Sequence, residues 1–272
     1  MMRRVMLPAL IQLFGVLAGF DAIAQGAPAQ GFYVRGQLGY GWPSFKDVNT
    51  EIRGEAEGLA PVATLLDWEE LGGGTRLSGE AGYRMSPTFS LGLEFGYQKV
   101  AREHSSSILF DTGTAIVSGR IEQTVKPSLF TVLLTPTIQV PSAPGFHFGG
   151  QIGLGHGWFK RIESDDVGAT DGTFVVATLT EEYSETALAG GLFIGWDFTM
   201  SPDVAFSMRA GYLMSNFSSM DGTATSQGST ELGSFYDSGP AQLTDSSDNP
   251  MEVSFSGLNL NVGLLLRFGA SH

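Results

Sequence analysis

The stretch GFYVRGQLGYGW, residues 31–42, limits the fold more than any other feature, because it alternates with a period of two. Phe32, Val34, Leu38, Tyr40 and Trp42 share one face, and Tyr33, Arg35, Gln37, Gly39 and Gly41 share the other. That is the pattern of a β-strand with one apolar side and one small or polar side. Residues 76–98 repeat it. Leu77, Ala81, Tyr83, Met85, Phe89, Leu91, Leu93, Phe95 and Tyr97 take the apolar face; Arg76, Ser78, Glu80, Gly82, Arg84, Ser90, Gly92, Glu94, Gly96 and Gln98 take the opposite one. Ser86-Pro87-Thr88 between them reads as a tight turn, since proline fixes its φ and cannot continue a ladder.

Further strands follow at about 129–140, 146–158, 187–198, 204–213 and 255–268, for eight in all. The links around Ser86, Ser142 and Ser201 are short, whereas 43–74, 99–127, 159–184 and 214–251 are long. Short and long links alternate strictly, which describes an antiparallel up-and-down meander. The near copies "MSPT" at Met85 and "MSPD" at Met200 are then the same return made twice at the same rim.

Two observations decide which face points inward. The non-apolar face carries Gly39, Gly41, Gly82, Gly92, Gly96, Gly149, Gly153, Gly155, Gly157, Gly191, Gly195, Gly211 and Gly263, as the narrow interior of an eight-stranded barrel requires. The apolar face carries aromatics at both ends: Phe32, Phe89, Phe146, Trp196 and Phe268 toward the short turns, and Tyr40, Trp42, Tyr97, Trp158 and Tyr212 toward the long loops. Two aromatic girdles around an aliphatic band suit a bilayer, and a tilted strand of about ten residues covers its apolar thickness. A soluble barrel would instead have to fit these bulky side chains into its lumen. The reading is therefore an all-β, eight-stranded transmembrane β-barrel.

At the N-terminus Arg3 and Arg4 precede an apolar run from Val5 to Phe20, and Ala22 and Ala24 occupy the minus-three and minus-one positions of a signal-peptidase site. Residues 1–24 are expected to be a signal peptide and residues 25–272 a single barrel domain. No cysteine is present, so the domain is expected to stand without disulfides and without a lipid-bearing cysteine.

The signal peptide, the first strand, the three tight turns against four long loops and the closing LLLRF together resemble the small outer-membrane β-barrel proteins of Gram-negative bacteria. These are the OmpA-like transmembrane domain and the opacity-type surface proteins. The resemblance implies four extracellular loops, three periplasmic turns and both termini in the periplasm. It also implies outer-membrane lipid as the surroundings and a terminal aromatic, here Phe268, read by the β-barrel assembly machinery. The chain departs from that pattern in following Phe268 with GASH.

The net charge of −13 resides mostly in the long loops, which argues against a nucleic-acid partner. Loop four is rich in Ser, Gly and acids and reads as flexible. Signals for chemistry are weak. The glycines of GGQIGLGHG fall at period two within a strand with no helix after them, so no phosphate loop is formed. His104-Ser105 lacks a third member for a hydrolase site. No catalytic, cofactor or metal residues are assigned. Three functions stay open: a non-catalytic surface protein acting through its acidic loops in envelope integrity, adhesion or interaction with an extracellular protein or host-surface ligand, a small pore, and a lipid A-modifying enzyme.

The lumen is the most specific region. Counting back from the Ser-Pro-Thr turn sets Arg84 opposite Ser90, Gly82 opposite Gly92, and Glu80 opposite Glu94. Arg35, Arg76, Arg84, Arg209 and Arg267 face the same interior as Glu80, Glu94 and Asp197. One or more of Arg35, Arg84 and Arg209 is expected to reach between the two glutamates, since directly opposed like charges destabilise a sheet.

Overall fold

The computed structural model describes residues 30–245 and 247–268. The expected signal peptide and the GASH tail lie outside the described residues. Among the described residues thirteen strands and one helix form: β1 (Gly31–Pro43), α1 (Lys46–Leu59), β2 (Ala63–Asp67), β3 (Gly74–Arg84), β4 (Phe89–Lys99), β5 (Arg102–Asp111), β6 (Ile116–Gln139), β7 (Phe146–Ala169), β8 (Phe174–Ser201), β9 (Val204–Phe217), β10 (Asp221–Thr230), β11 (Gly233–Gln242), β12 (Val253–Ser254) and β13 (Gly257–Phe268).

Eight strands pair antiparallel in a closed ring, β1-β3-β4-β6-β7-β8-β9-β13 and back to β1. Closure runs from Phe32 opposite Phe268 to Pro43 opposite Gly257. Every ring strand thus has both edges paired, which is the condition for crossing a membrane with strands. The tight return between β3 and β4 is held by Ser86, whose Oγ accepts the Phe89 N–H at 3.0 Å. At the β6–β7 return, Gly145 supplies a positive φ of 84° that a side chain would strain.

Outside, Leu38, Leu188, Leu192, Ile152, Leu258 and Leu264 form an exposed aliphatic band. Tyr40, Trp42, Tyr97, Trp158 and Tyr212 stand exposed at one end of it, and Phe32, Trp196 and Phe268 at the other.

The long connections are built rather than loose. Beyond the girdle at Trp158, β6, β7 and β8 continue as part of a seven-stranded wall ordered β2-β5-β6-β7-β8-β10-β11. Residues 99–127, 159–184 and 214–251, expected as long loops, thus carry paired strands. Above the lipid the outward face no longer has to be apolar, so the alternation fades while the backbone ladder runs on. Loop four, expected to be flexible, instead forms the hairpin β10–β11, laid on β8 from Asp221 opposite Ser184 to Thr230 opposite Val175. Met220, Leu243 and Met251, at its two ends, are buried in the core below, whereas Leu232, Phe235 and Tyr236 on the hairpin stay exposed.

Helix α1 fills the hollow of the crown. Val48 and Ile52, one turn apart, bury one face of it, and the Asn49 amide both donates to Leu71 O at 3.1 Å and accepts from Leu71 N at 2.7 Å. Phe45, Val48, Ile52, Leu129, Leu133, Phe159, Phe217 and Phe255 make one apolar cluster across the top of the lumen. Burial of each large side chain stabilises this arrangement by roughly 1.5–3 kcal/mol.

Candidate functional site

Beneath the apolar cluster the lumen holds a layer of buried charge. Glu80 and Glu94 are direct cross-strand partners, flanked by the pairs Gly82–Gly92 and Arg84–Ser90. The two glycines leave room that a side chain would take: a Cβ at Gly82 would strike the Tyr33 ring, and one at Gly92 the Glu80 carboxylate. Tyr33 Oη donates to Glu80 Oε1 at 2.5 Å.

Three arginines serve three carboxylates. Arg209 Nη1 lies 2.6 Å from Glu80 Oε2 and 3.4 Å from Glu94 Oε2, between the opposed pair. Arg35 joins Glu80 at 2.9 Å to Asp197 at 3.1 Å. Arg76 bonds Glu94 Oε1 at 3.0 Å, and Gln151 Nε2 donates to Glu94 Oε2 at 2.8 Å. The Arg209 guanidinium also lies 4.3 Å from the centre of the Phe193 ring. All six charged groups are almost fully enclosed. Charges this deep tolerate burial only when paired and hydrogen-bonded.

Arg84 and Arg267 do not join this layer. Arg84 ends β3 at the short-turn mouth, two residues past Gly82, and makes no ion pair with either glutamate. Arg267 makes one long bond, 3.4 Å, to Thr199 Oγ1. Sequence reasoning does not single out Tyr33, Gln151 or His147 as partners, although strand parity puts all three on the lumen face. His147 Nδ1 stands 3.7 Å from Asp197 Oδ2 and 3.1 Å from Gly145 O.

A second charged group ties α1 to the crown wall. Arg161 bridges Glu55 of α1, at 3.2 Å, and Glu181 of β8, while Gln123 Nε2 donates to Glu55 Oε2 at 2.8 Å. Burial raises the pKa of Glu55 above the usual carboxylate range despite these partners, and does the same for Glu163, helped by neighbouring Asp165. Burial alone raises Asp165. Tyr183 is pushed up to about 12 by burial and by the adjacent Glu181 charge. Burial would lower Arg161, but Glu181 and Glu55 outweigh it and hold the guanidinium charged.

His104 stacks on Trp68 with centroids 5.2 Å apart, buried, and burial together with nearby Arg102 lowers its pKa. Ser105 follows it on β5, and successive strand side chains point to opposite faces, so the two cannot act on one substrate. The glycines of GGQIGLGHG lie in β7; a Cβ at Gly157 would strike Phe217 and one at Gly155 would crowd Leu129 and Ser215. They make space for the apolar cluster.

A closed antiparallel barrel with an aliphatic belt, aromatic girdles and a filled lumen defines an outer-membrane β-barrel protein. Residues 13–268 match the family model described as "Outer membrane protein beta-barrel domain", and the chain belongs to that family. Its place is the lipid of the Gram-negative outer membrane. No curated protein matches the chain. Among solved structures it is similar to the outer membrane protein OprG from Pseudomonas aeruginosa, at 16% identity, covering 90% of this chain and 99% of that one with a TM-score of 0.40. A major outer membrane protein from Thermus thermophilus aligns at 14% identity, 88% and 100% coverage and a TM-score of 0.41. Ail, the attachment invasion locus protein of Yersinia pestis, aligns at 13%, 89% and 99%, with a TM-score of 0.35.

Proposed function

We propose that this protein is a non-catalytic, non-conducting surface protein that presents its crown to an extracellular protein or host-surface ligand. The observation that carries this reading is the double closure of the lumen. The apolar cluster around Leu129, Phe217 and Phe255 lies above the charged layer of Glu80, Glu94, Arg35 and Arg209, and Leu133, the cross-strand partner of Glu94, joins the two, so solute would have to displace both. What projects is a wall of paired strands braced by a helix, a rigid support for recognition. In this reading the short turns and both termini lie in the periplasm, the assembly machinery reads Phe268, and the acidic crown repels polyanions such as nucleic acid.

Planar-bilayer recording on the refolded protein tests closure: the expected result is no resolvable unitary conductance, and stable open steps would overturn the reading. Protease on intact cells tests orientation, with cuts expected in the crown near Glu57 or Asp237 and none at Pro87 or Pro202. Loss of cell-surface binding on deleting β10–β11, with the barrel still folded, would identify the crown as the working part.

A further inference from the structure

The lumen's cations outnumber its anions, and the excess is localised. Arg35, Arg76 and Arg209 are engaged with Glu80, Glu94 and Asp197, whereas Arg84 and Arg267 form no ion pair among the described residues. Both sit at the short-turn mouth on strands separated only by β1. Arg84 is opposite Gly31 and Ser90, and Arg267 is opposite Tyr33.

With Tyr33, Arg35, Ser90 and Gln139 they line a single partly open pocket. Two buried donors in that lining have no partner: Nε of Arg267, a residue 8% exposed, and Nε of Arg35, 3% exposed. The nearby carboxylates do not meet this demand. Asp197 is held by Arg35, and Asp203 accepts the Arg267 backbone N–H through its own carbonyl at 2.8 Å without forming an ion pair with the guanidinium.

An enclosed guanidinium with an unmet donor, as at Arg267, beside a half-buried one without an ion pair, as at Arg84, is well disposed to receive an oxyanion. A single planar carboxylate is satisfied by one arginine fork. Two arginines that share one lining with Ser90 and Gln139 suit a tetrahedral, doubly charged group. We propose that the pocket at the short-turn mouth binds a phosphate-class oxyanion, gripped by Arg84 and Arg267. Phe32, part of the same lining, stands outward in the girdle at headgroup depth. A lipid headgroup phosphate and free phosphate therefore present the same chemistry to the pocket, and the site is independent of the role given to the crown.

The test uses the full-length protein in a sugar-headgroup detergent, which carries no phosphate. Inorganic phosphate is titrated in one arm and short-chain phosphatidylglycerol in the other, each against chloride at equal ionic strength, with 31P line broadening and the thermal midpoint as readouts. Binding in either arm beyond the chloride control supports the site, and response in the lipid arm alone names the headgroup as the source. Arg84→Gln with Arg267→Gln should weaken binding on the order of tenfold or more. If that double variant does not fold, Ser90→Ala with Gln139→Ala is read in its place, with a loss of about threefold expected. No response in either arm, or unchanged binding in the folded variant, overturns the proposal.

Discussion

Glu80 and Glu94 face each other across β3 and β4, and Arg209, brought round from β9 by closure of the ring, places one nitrogen against both carboxylates, 2.6 and 3.4 Å away. Arg35 and Arg76 each serve one of the two carboxylates, and Arg209 is the cation set between them.

Arg209→Met should therefore cost about 3–5 kcal/mol of unfolding stability, since it leaves two buried carboxylates facing one another. Urea titration of the protein refolded in lipid vesicles measures this. Adding Glu80→Gln and Glu94→Gln to Arg209→Met should recover part of the loss; no recovery would show that the repulsion was not its source.

The glycine rung beside the pair gives a steric prediction. Gly82→Ala pushes a methyl into the Tyr33 ring and should cost about 1–3 kcal/mol. The same substitution in a Tyr33→Ala background should cost less, and a thermal melt of the four proteins forms the cycle that decides it.

Docking of α1 can be separated from folding of the barrel. Ile52→Ala removes a buried side chain from the crown and should loosen the helix by about 2–5 kcal/mol. Trypsin should then cut at Arg53, which is exposed, faster than in the parent. The heat-dependent gel shift of the barrel should persist.

The carboxylates around α1 set a pH dependence. Glu55, Glu163 and Asp165 have pKa values raised by burial, so between their unfolded and folded values the folded crown holds more protons than the unfolded one. Stability of the crown must then fall as pH rises from the ordinary carboxylate range through the raised values, and it is greatest below them. Hydrogen exchange of α1 amides, corrected for intrinsic rates, should show more opening at pH 7 than at pH 5. Glu163→Gln should flatten the slope.

The barrel was legible in the sequence because lipid and lumen impose opposite chemistry on alternate residues, and a proline turn fixes register from one end. That is why the pairing of Glu80 with Glu94 could be counted from Ser86. Which arginine reaches them could not be counted, because Arg209 arrives across the closure of the ring. Above the girdle the two-sided constraint lapses. Residues 116–127 and 221–242 carry Ser, Thr, Gly and charge on both faces, so strands there leave no apolar period to read. Helix α1 showed only the Val48–Ile52 spacing, too short a signal against its polar remainder.

The β7–β8 hairpin pairs without a register shift from Phe146 opposite Trp196 in the membrane to Gly168 opposite Phe174 at the tip. With about 3.3 Å of rise per residue, the ten residues beyond Trp158 carry the ladder some 30 Å along its own direction. Such a hairpin behaves as a stiff mast and not as a tether. Whatever is grasped at its tip is held at a set angle to the plane of the bilayer, and lateral load applied there is delivered as torque on the barrel wall.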